Sequence, residues 1–435
     1  MTAPESVSPV RRRAVIAALR RGTVPEAGLD LFAVGLERFE KAIDEELDAV
    51  VTGSAQFKAL RGEYGSGKTF FARWLAERAK RRGMAAAEIQ ISETETPLHR
   101  LETVYRRLVE RLSTSAYRPS ALRDIIEGWF YILEEDVLET GPIDDPGALA
   151  NAVDALAEKR LANVARSTPA FSAALRAYRA ARIGGDDALA EGLLAWIGGQ
   201  PNIAASAKRA AGVKGDLDHF GALGFLQGLL TVLRDSGHPG LLVVFDEIET
   251  LQRMRGDVRE KSLNALRQLM DEVDQGRFPG LYLLITGTPA FYDGTQGVQR
   301  APALAQRLAV HFADPRFDNP KAVQVRLHGF DLDRLGLLGR AVRDLYAVDG
   351  SPRIRTVVDD EYIGELARAV TGGLGGRVGI APRLFLRKVV EDVLDRVDQF
   401  EDFLPRRDYP FAIRDGELNE VERNAVSAGD VDLAL

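Results

Sequence analysis

"LRGEYGSGKTFFARW", Leu60 to Trp74, decides how the rest of this chain is read. Glycine is costly inside regular structure, but it lets a backbone turn tightly and approach a ligand closely. Here Gly62, Gly65 and Gly67 crowd together ahead of a lysine and a threonine, in the pattern Gly62-x-x-x-x-Gly67-Lys68-Thr69. That spacing is a phosphate-binding loop. The backbone from Gly62 through Glu63, Tyr64, Gly65, Ser66 and Gly67 to Lys68, Thr69 and Phe70 can wrap the phosphates of a nucleotide with its N–H groups. Lys68 adds a compact positive charge near the β and γ groups, and Thr69 offers a hydroxyl to Mg²⁺. Such a loop needs a strand before it and a helix after it. "FKALR" (Phe57 to Arg61) supplies an apolar-rich strand, and "TFFARWLAERAKRR" places Phe71, Trp74, Leu75 and Arg78 at helical spacing.

A phosphate loop alone does not hydrolyse anything. It needs a carboxylate at the end of a buried strand for the metal, and a group that activates water. "LLVVFDEIE" offers both: Leu241 to Phe245 is a continuous apolar run, as in a parallel strand buried on both faces. Asp246 would support Mg²⁺, and Glu247 would orient and polarise the attacking water. The alternative, a strand ending in a solvated acidic turn, loses force because of the loop upstream. "LYLLITGTP" (Leu281 to Pro289) reads as the neighbouring strand, ending in Thr286 and Thr288. Either hydroxyl can serve the attacking water or the γ-phosphate, or both are loop threonines without a role. Two arginines are candidates for sensing the γ-phosphate, since guanidinium suits charge spread over several oxygens. Arg307, in "APALAQRLAV", could reach a neighbouring subunit's nucleotide; Arg383, in "GIAPRLFLRKVVEDV", could close a helical lid over bound ATP. In so arginine-rich a chain, either can equally be a surface residue.

The 435 residues suffice for two or three domains. A formal charge of −7 argues against whole-surface attraction to DNA and leaves a local basic patch open. The lack of cysteine excludes disulfides and thiolate chemistry, and five scattered histidines make no zinc site. No run of 18 apolar residues exists to span a membrane, and "RRRAVIAALRRG" is too broken by arginine for a secretory signal. A cytoplasmic protein is expected.

Along the chain, residues 1–50 read as helices, with Leu36, Phe39, Ile43 and Leu47 on one face of the second. Residues 51–330 form the core, with further strands at "AAAEIQIS" and "AVQVRLHG" and a long helical insertion over about 97–212. That insertion accounts for the unusual separation of Lys68 from Asp246. Residues 331–400 read as a helical lid, and 401–435 as an acidic, turn-rich, loose tail. Strands alternating with helices predict an α/β fold around a mostly parallel five-stranded sheet.

Taken together, "VGLERFEKAI", "GEYGSGKT", "VVFDEIE", "LLITGTP", "ALAQRL" and "APRLFL" resemble the AAA+ P-loop ATPases, nearest the Orc/Cdc6-like and STAND-like arrangements. More narrowly, "RRGTVPEAGLDLFAVGLERFEKAIDEEL" joined to "FKALRGEYGSGKTFFARWLAERA" resembles the BrxC/BrxD family of BREX bacteriophage-exclusion systems, the length fitting its smaller, BrxD-like members. The resemblance implies an antiphage role beside a methyltransferase, a helicase and a phosphatase-like component, with DNA as a further partner. One departure matters: only about 35 residues follow the lid, too few for the winged-helix domain of Orc/Cdc6-like proteins. DNA would have to meet the 97–212 insertion or a partner.

The leading expectation is an ATPase that hydrolyses Mg-ATP to change conformation or assembly, as a homo-oligomer if Arg307 acts in trans. A nucleotide-gated scaffold with little hydrolysis stays open, although Glu247 argues for turnover. An ATP-dependent DNA loader also stays open; Arg106, Arg107 and Arg111 share one helix, but nearby glutamates dilute them.

Overall fold

The computed structural model describes residues 7–376, 379, 381–418, 422 and 423. The first helix, α1 (Pro9–Arg20), starts at Ser8, whose hydroxyl accepts the Arg11 N–H, with proline in the first turn. In α2 (Glu37–Val51), Phe39, Ile43, Leu47 and Val50 are buried along one face. The nucleotide-loop unit follows as β1 (Gln56–Arg61), α3 (Lys68–Arg81) and β2 (Ala85–Gln90). Seven helices come next: α4 (Leu101–Arg111), α5 (Leu122–Glu139), α6 (Pro146–Arg160), α7 (Ala162–Ser167), α8 (Pro169–Ile183), α9 (Asp187–Ile197) and α10 (Ala205–Ala210). Helix α11 (His219–Asp235) leads back to the sheet. The sheet is completed by β3 (Leu241–Asp246), α12 (Gly256–Asp274), β4 (Leu281–Gly287), α13 (Pro289–Asp293), α14 (Pro302–Leu308) and the short β5 (Gln324–Arg326).

The five strands run in the order β2-β3-β4-β1-β5 and every pairing is parallel. Apolar runs such as Leu241 to Phe245 make sense in this setting, because both faces of the sheet are covered. Leu241, Val243 and Phe245 belong to a core shared with α4, α5, α8, α9, α11 and α12. Leu242 and Val244 face the opposite core, built from α1, α2, α3 and the C-terminal helices. The register sets the strand ends side by side: Gln90 pairs with Asp246, and Leu60 with Thr286.

The C-terminal region contains α15 (Leu332–Ala347), α16 (Ile354–Val357), α17 (Asp360–Gly373), α18 (Pro382–Arg387), a π-helical segment (Lys388–Leu394) and α19 (Asp395–Gln399). The sequence reads as one regular helix from "APRLFL" onward; instead it contains this wider turn. There the buried Lys388 ammonium meets Asp392 at 3.0 Å and Glu417 at 2.8 Å. Of the loose tail expected over 401–435, residues 405–418 pack on the C-terminal helices, and 419–421 and 424–435 lie outside the described residues. Tyr409 donates to Asp392 at 2.8 Å, Arg406 pairs with Asp359, and Leu418 is buried against the same helices. Helix α1 docks here too, through Arg20 to Asp395 at 2.6 Å.

Candidate functional site

A cleft of about 320 Å³ opens at the carboxyl ends of β1 and β3, where an open parallel sheet leaves room for a ligand. Its floor is the glycine loop. Gly65 and Gly67 take φ of 78° and 94°, left-handed values that favour glycine. A Cβ on Gly62 would collide with the Ser66 hydroxyl, so the loop closes this tightly only without one. The Ser66 hydroxyl is buried and makes no hydrogen bond among the described residues, which leaves it available to a ligand oxygen. Helix α3 starts at Lys68 and directs its free N–H groups and positive end into the same space.

Lys68 itself is buried. Its ammonium donates to the carbonyls of Gly62 at 3.0 Å and Glu63 at 3.3 Å, and lies 5.1 Å from the centre of the Tyr64 ring. Burial, more than the nearby charge of Glu249, pushes the Tyr64 hydroxyl above its ordinary pKa. Phe70 lines the cleft and meets Phe32 edge-on at 5.2 Å.

From β3, Asp246 collects three donors. Thr69 Oγ1 donates to Oδ2 at 2.9 Å, the Thr286 hydroxyl donates to Oδ1, and the Glu247 N–H donates to Oδ1 at 3.1 Å. Two chain segments far apart in sequence thus bring a hydroxyl and a carboxylate together. Of the two threonines, Thr286 is the one bonded to this acid. Thr288 is buried at the start of α13, where its hydroxyl does not cap the helix. Glu247 has the left-handed backbone φ 57°, ψ 42°, uncommon without glycine and concentrated at functional sites. Its carboxylate accepts from Gln90 Nε2 at 2.6 Å.

The two arginines differ. Arg383 lines the cleft, but its Nε and Nη2 bond Glu422, and Nη2 also donates to the Glu417 carbonyl at 2.6 Å. Arg307, on α14, does not line the cleft; it pairs with Asp271 and, at 3.3 Å, with Asp274 of α12.

Sequence reading missed three contributors. Gln90 is a polar strand end whose neighbour only the sheet order reveals. Glu249 lies in "DEIETL", where three acids in the first four positions look like an ordinary exposed turn; it is 5% exposed and 3.8 Å from Lys68. Burial pushes its carboxyl above the usual range, against the pull of Lys68. The third is an apolar bay beside the loop, with Val24, Pro25, Phe32 and Leu36 on one wall and Phe330 and Leu338 on the other.

The donor set fits a metal held jointly with phosphate. Among the described residues no group of three or more His, Asp or Glu side chains could hold an ion. Mg²⁺ suits this arrangement, since it is bound through one or two carboxylates plus substrate phosphates. A family model described as BREX system ATP-binding protein BrxC/D matches residues 7–412. The chain belongs to that family. No curated protein matches it. Membership in the BrxC/D family makes it an ATP-binding protein of a BREX system, and the match spans the N-terminal wall, the glycine loop, the helical insertion and the C-terminal helices alike. Among the described residues of this BrxC/D chain, no helix is long and apolar enough to cross a membrane.

Proposed function

We propose that the chain is a Mg-ATP hydrolase of AAA+ type that works in the cytoplasm with other BREX proteins in defence against phage. The observation that carries this reading is the 2.9 Å hydrogen bond from Thr69 to Asp246, with Lys68 and Glu247 beside it. Loop N–H groups and the Lys68 ammonium bind the phosphates and neutralise the charge that builds up on them. The base lies in the apolar bay. Thr69 and Asp246 would hold Mg²⁺, which supplies further charge neutralisation at the phosphates. Glu247 accepts the proton of the water that attacks the γ-phosphorus, and Thr286 holds Asp246 in place.

Measured ATP turnover and nucleotide affinity test this. Lys68→Ala is expected to abolish binding. Glu247→Gln is expected to keep binding while turnover falls by about 10²–10⁴-fold. Turnover that survives Glu247→Gln would remove the assigned role.

The scaffold alternative gains one specific support. Gln90 holds the Glu247 carboxylate at 2.6 Å, so the water-activating group is engaged elsewhere and basal hydrolysis is slow until that bond opens. A DNA-loader role gains no such support from α4, since Arg106 and Arg107 both pair with Glu110.

A further inference from the structure

Glu249 is unlike the other two acids of the cleft. Asp246 and Glu247 accept hydrogen bonds; Glu249 is 5% exposed, and neither of its oxygens accepts one among the described residues. A buried carboxylate without hydrogen bonds is costly, and structural acids are normally satisfied. Its partner is the Lys68 ammonium, 3.8 Å from Oε1, too far for a hydrogen bond and close enough for strong attraction where water is excluded. Lys68 meanwhile directs its donors at the Gly62 and Glu63 carbonyls. Glu249 therefore contributes charge to Lys68 without fixing its geometry. The same charge faces the cleft in which the phosphates are proposed to lie.

We propose that Glu249 competes with nucleotide phosphate for the Lys68 ammonium and so sets how tightly the site holds a triphosphate relative to a diphosphate. The inference rests on the reading of this cleft as an ATP site. A phosphate group brought to Lys68 shares the ammonium with Glu249 and is repelled by it. The repulsion grows with the charge delivered, so removing it should favour ATP over ADP. Glutamine keeps the size and shape of glutamate, lacks the charge, and can donate a hydrogen bond to phosphate. Glu249→Asp keeps the charge and withdraws it by one methylene, giving a second variant with an intermediate expectation.

The test is titration of wild type, Glu249→Gln and Glu249→Asp with Mg-ADP and with a non-hydrolysable Mg-ATP analogue, alongside their melting temperatures. Glu249→Gln is expected to bind the triphosphate analogue about tenfold more tightly, and Mg-ADP by a smaller factor. Glu249→Asp should fall between it and wild type. A merely structural role would lower melting temperature and weaken both ligands together, leaving their ratio unchanged. Unchanged or weaker triphosphate binding by folded Glu249→Gln, in a wild type that does bind nucleotide, overturns this inference alone. If wild type binds neither ligand, the ATP-site reading falls with it.

Discussion

Asp246 has three hydrogen-bond donors and Glu247 has Gln90, so single substitutions here separate binding from turnover. Asp246→Asn keeps the shape but replaces one carboxylate oxygen with an amide nitrogen, which cannot accept from whichever of Thr69 and Thr286 it faces, and removes the charge that favours a metal. Nucleotide affinity in Mg²⁺ should fall about tenfold or more, with little change in metal-free buffer. Comparing affinity with and without chelator checks this. Gln90→Ala removes a charge-assisted bond worth about 1.5–3 kcal/mol. If that bond restrains Glu247, basal turnover rises by about threefold or more without tighter ATP binding, as steady-state rates would show; a fall would mean that Gln90 instead holds Glu247 in its working position.

Between elements, the walls of the cleft depend on ties made well away from it. Glu77, on α3, accepts the N–H groups of Gly28 and Leu29 at 3.0 Å each and pairs with Arg11. It thereby fastens the segment carrying Phe32 and Leu36 to the helix that starts at the phosphate loop. Glu77→Ala leaves those N–H groups without their acceptor, at a cost of about 1–3 kcal/mol. Chemical denaturation should show this loss, and nucleotide affinity should fall although Glu77 touches no part of the cleft. Asp44 ties α2 to α3 in a pH-dependent way. Burial raises its pKa, but hydrogen bonds and charge from Arg78 and Arg82 outweigh that and hold the carboxyl below its ordinary value. The contribution to stability is therefore complete above the unfolded value of about 3.9 and is lost as pH falls through the folded value. Asp44→Asn should lower the melting temperature slightly at pH 7, a partly exposed pair being worth at most about 1 kcal/mol. Its difference from wild type should shrink as pH drops below about 4.

At the scale of the whole molecule, the cleft is bounded by three regions: the N-terminal segment, the sheet core and the C-terminal helices. A ligand bound there stabilises all three at once. Nucleotide at about 100 times its dissociation constant should add about 2.7 kcal/mol, visible as a rise in melting temperature that Lys68→Ala abolishes. Arg307 bears on assembly. Its ion pairs with Asp271 and Asp274 lie within its own subunit, so action in trans would require giving them up. Turnover that rises with protein concentration, and that Arg307→Ala slows without weakening ATP binding, would show it.

The glycine loop, the buried strand ending in Asp246 and Glu247, and the helical insertion were legible because each is a local pattern: close glycines, an unbroken apolar run, helical spacing. A chain carrying them is committed to an α/β sheet with a phosphate loop at one strand end. Strand order is not local. Only the order β2-β3-β4-β1-β5 sets Gln90 beside Asp246 and brings Thr286 within reach of that acid. Burial is not local either: Glu249 reads as one more acid in a turn until packing removes its water and leaves it facing Lys68. The apolar bay likewise joins residues near position 30 to residues near 330, a pairing made by helices closing on the same face of the sheet. Residue type and spacing declare what chemistry a chain can support, whereas hydration and neighbouring charge, which set how that chemistry is tuned, arise only when distant segments meet.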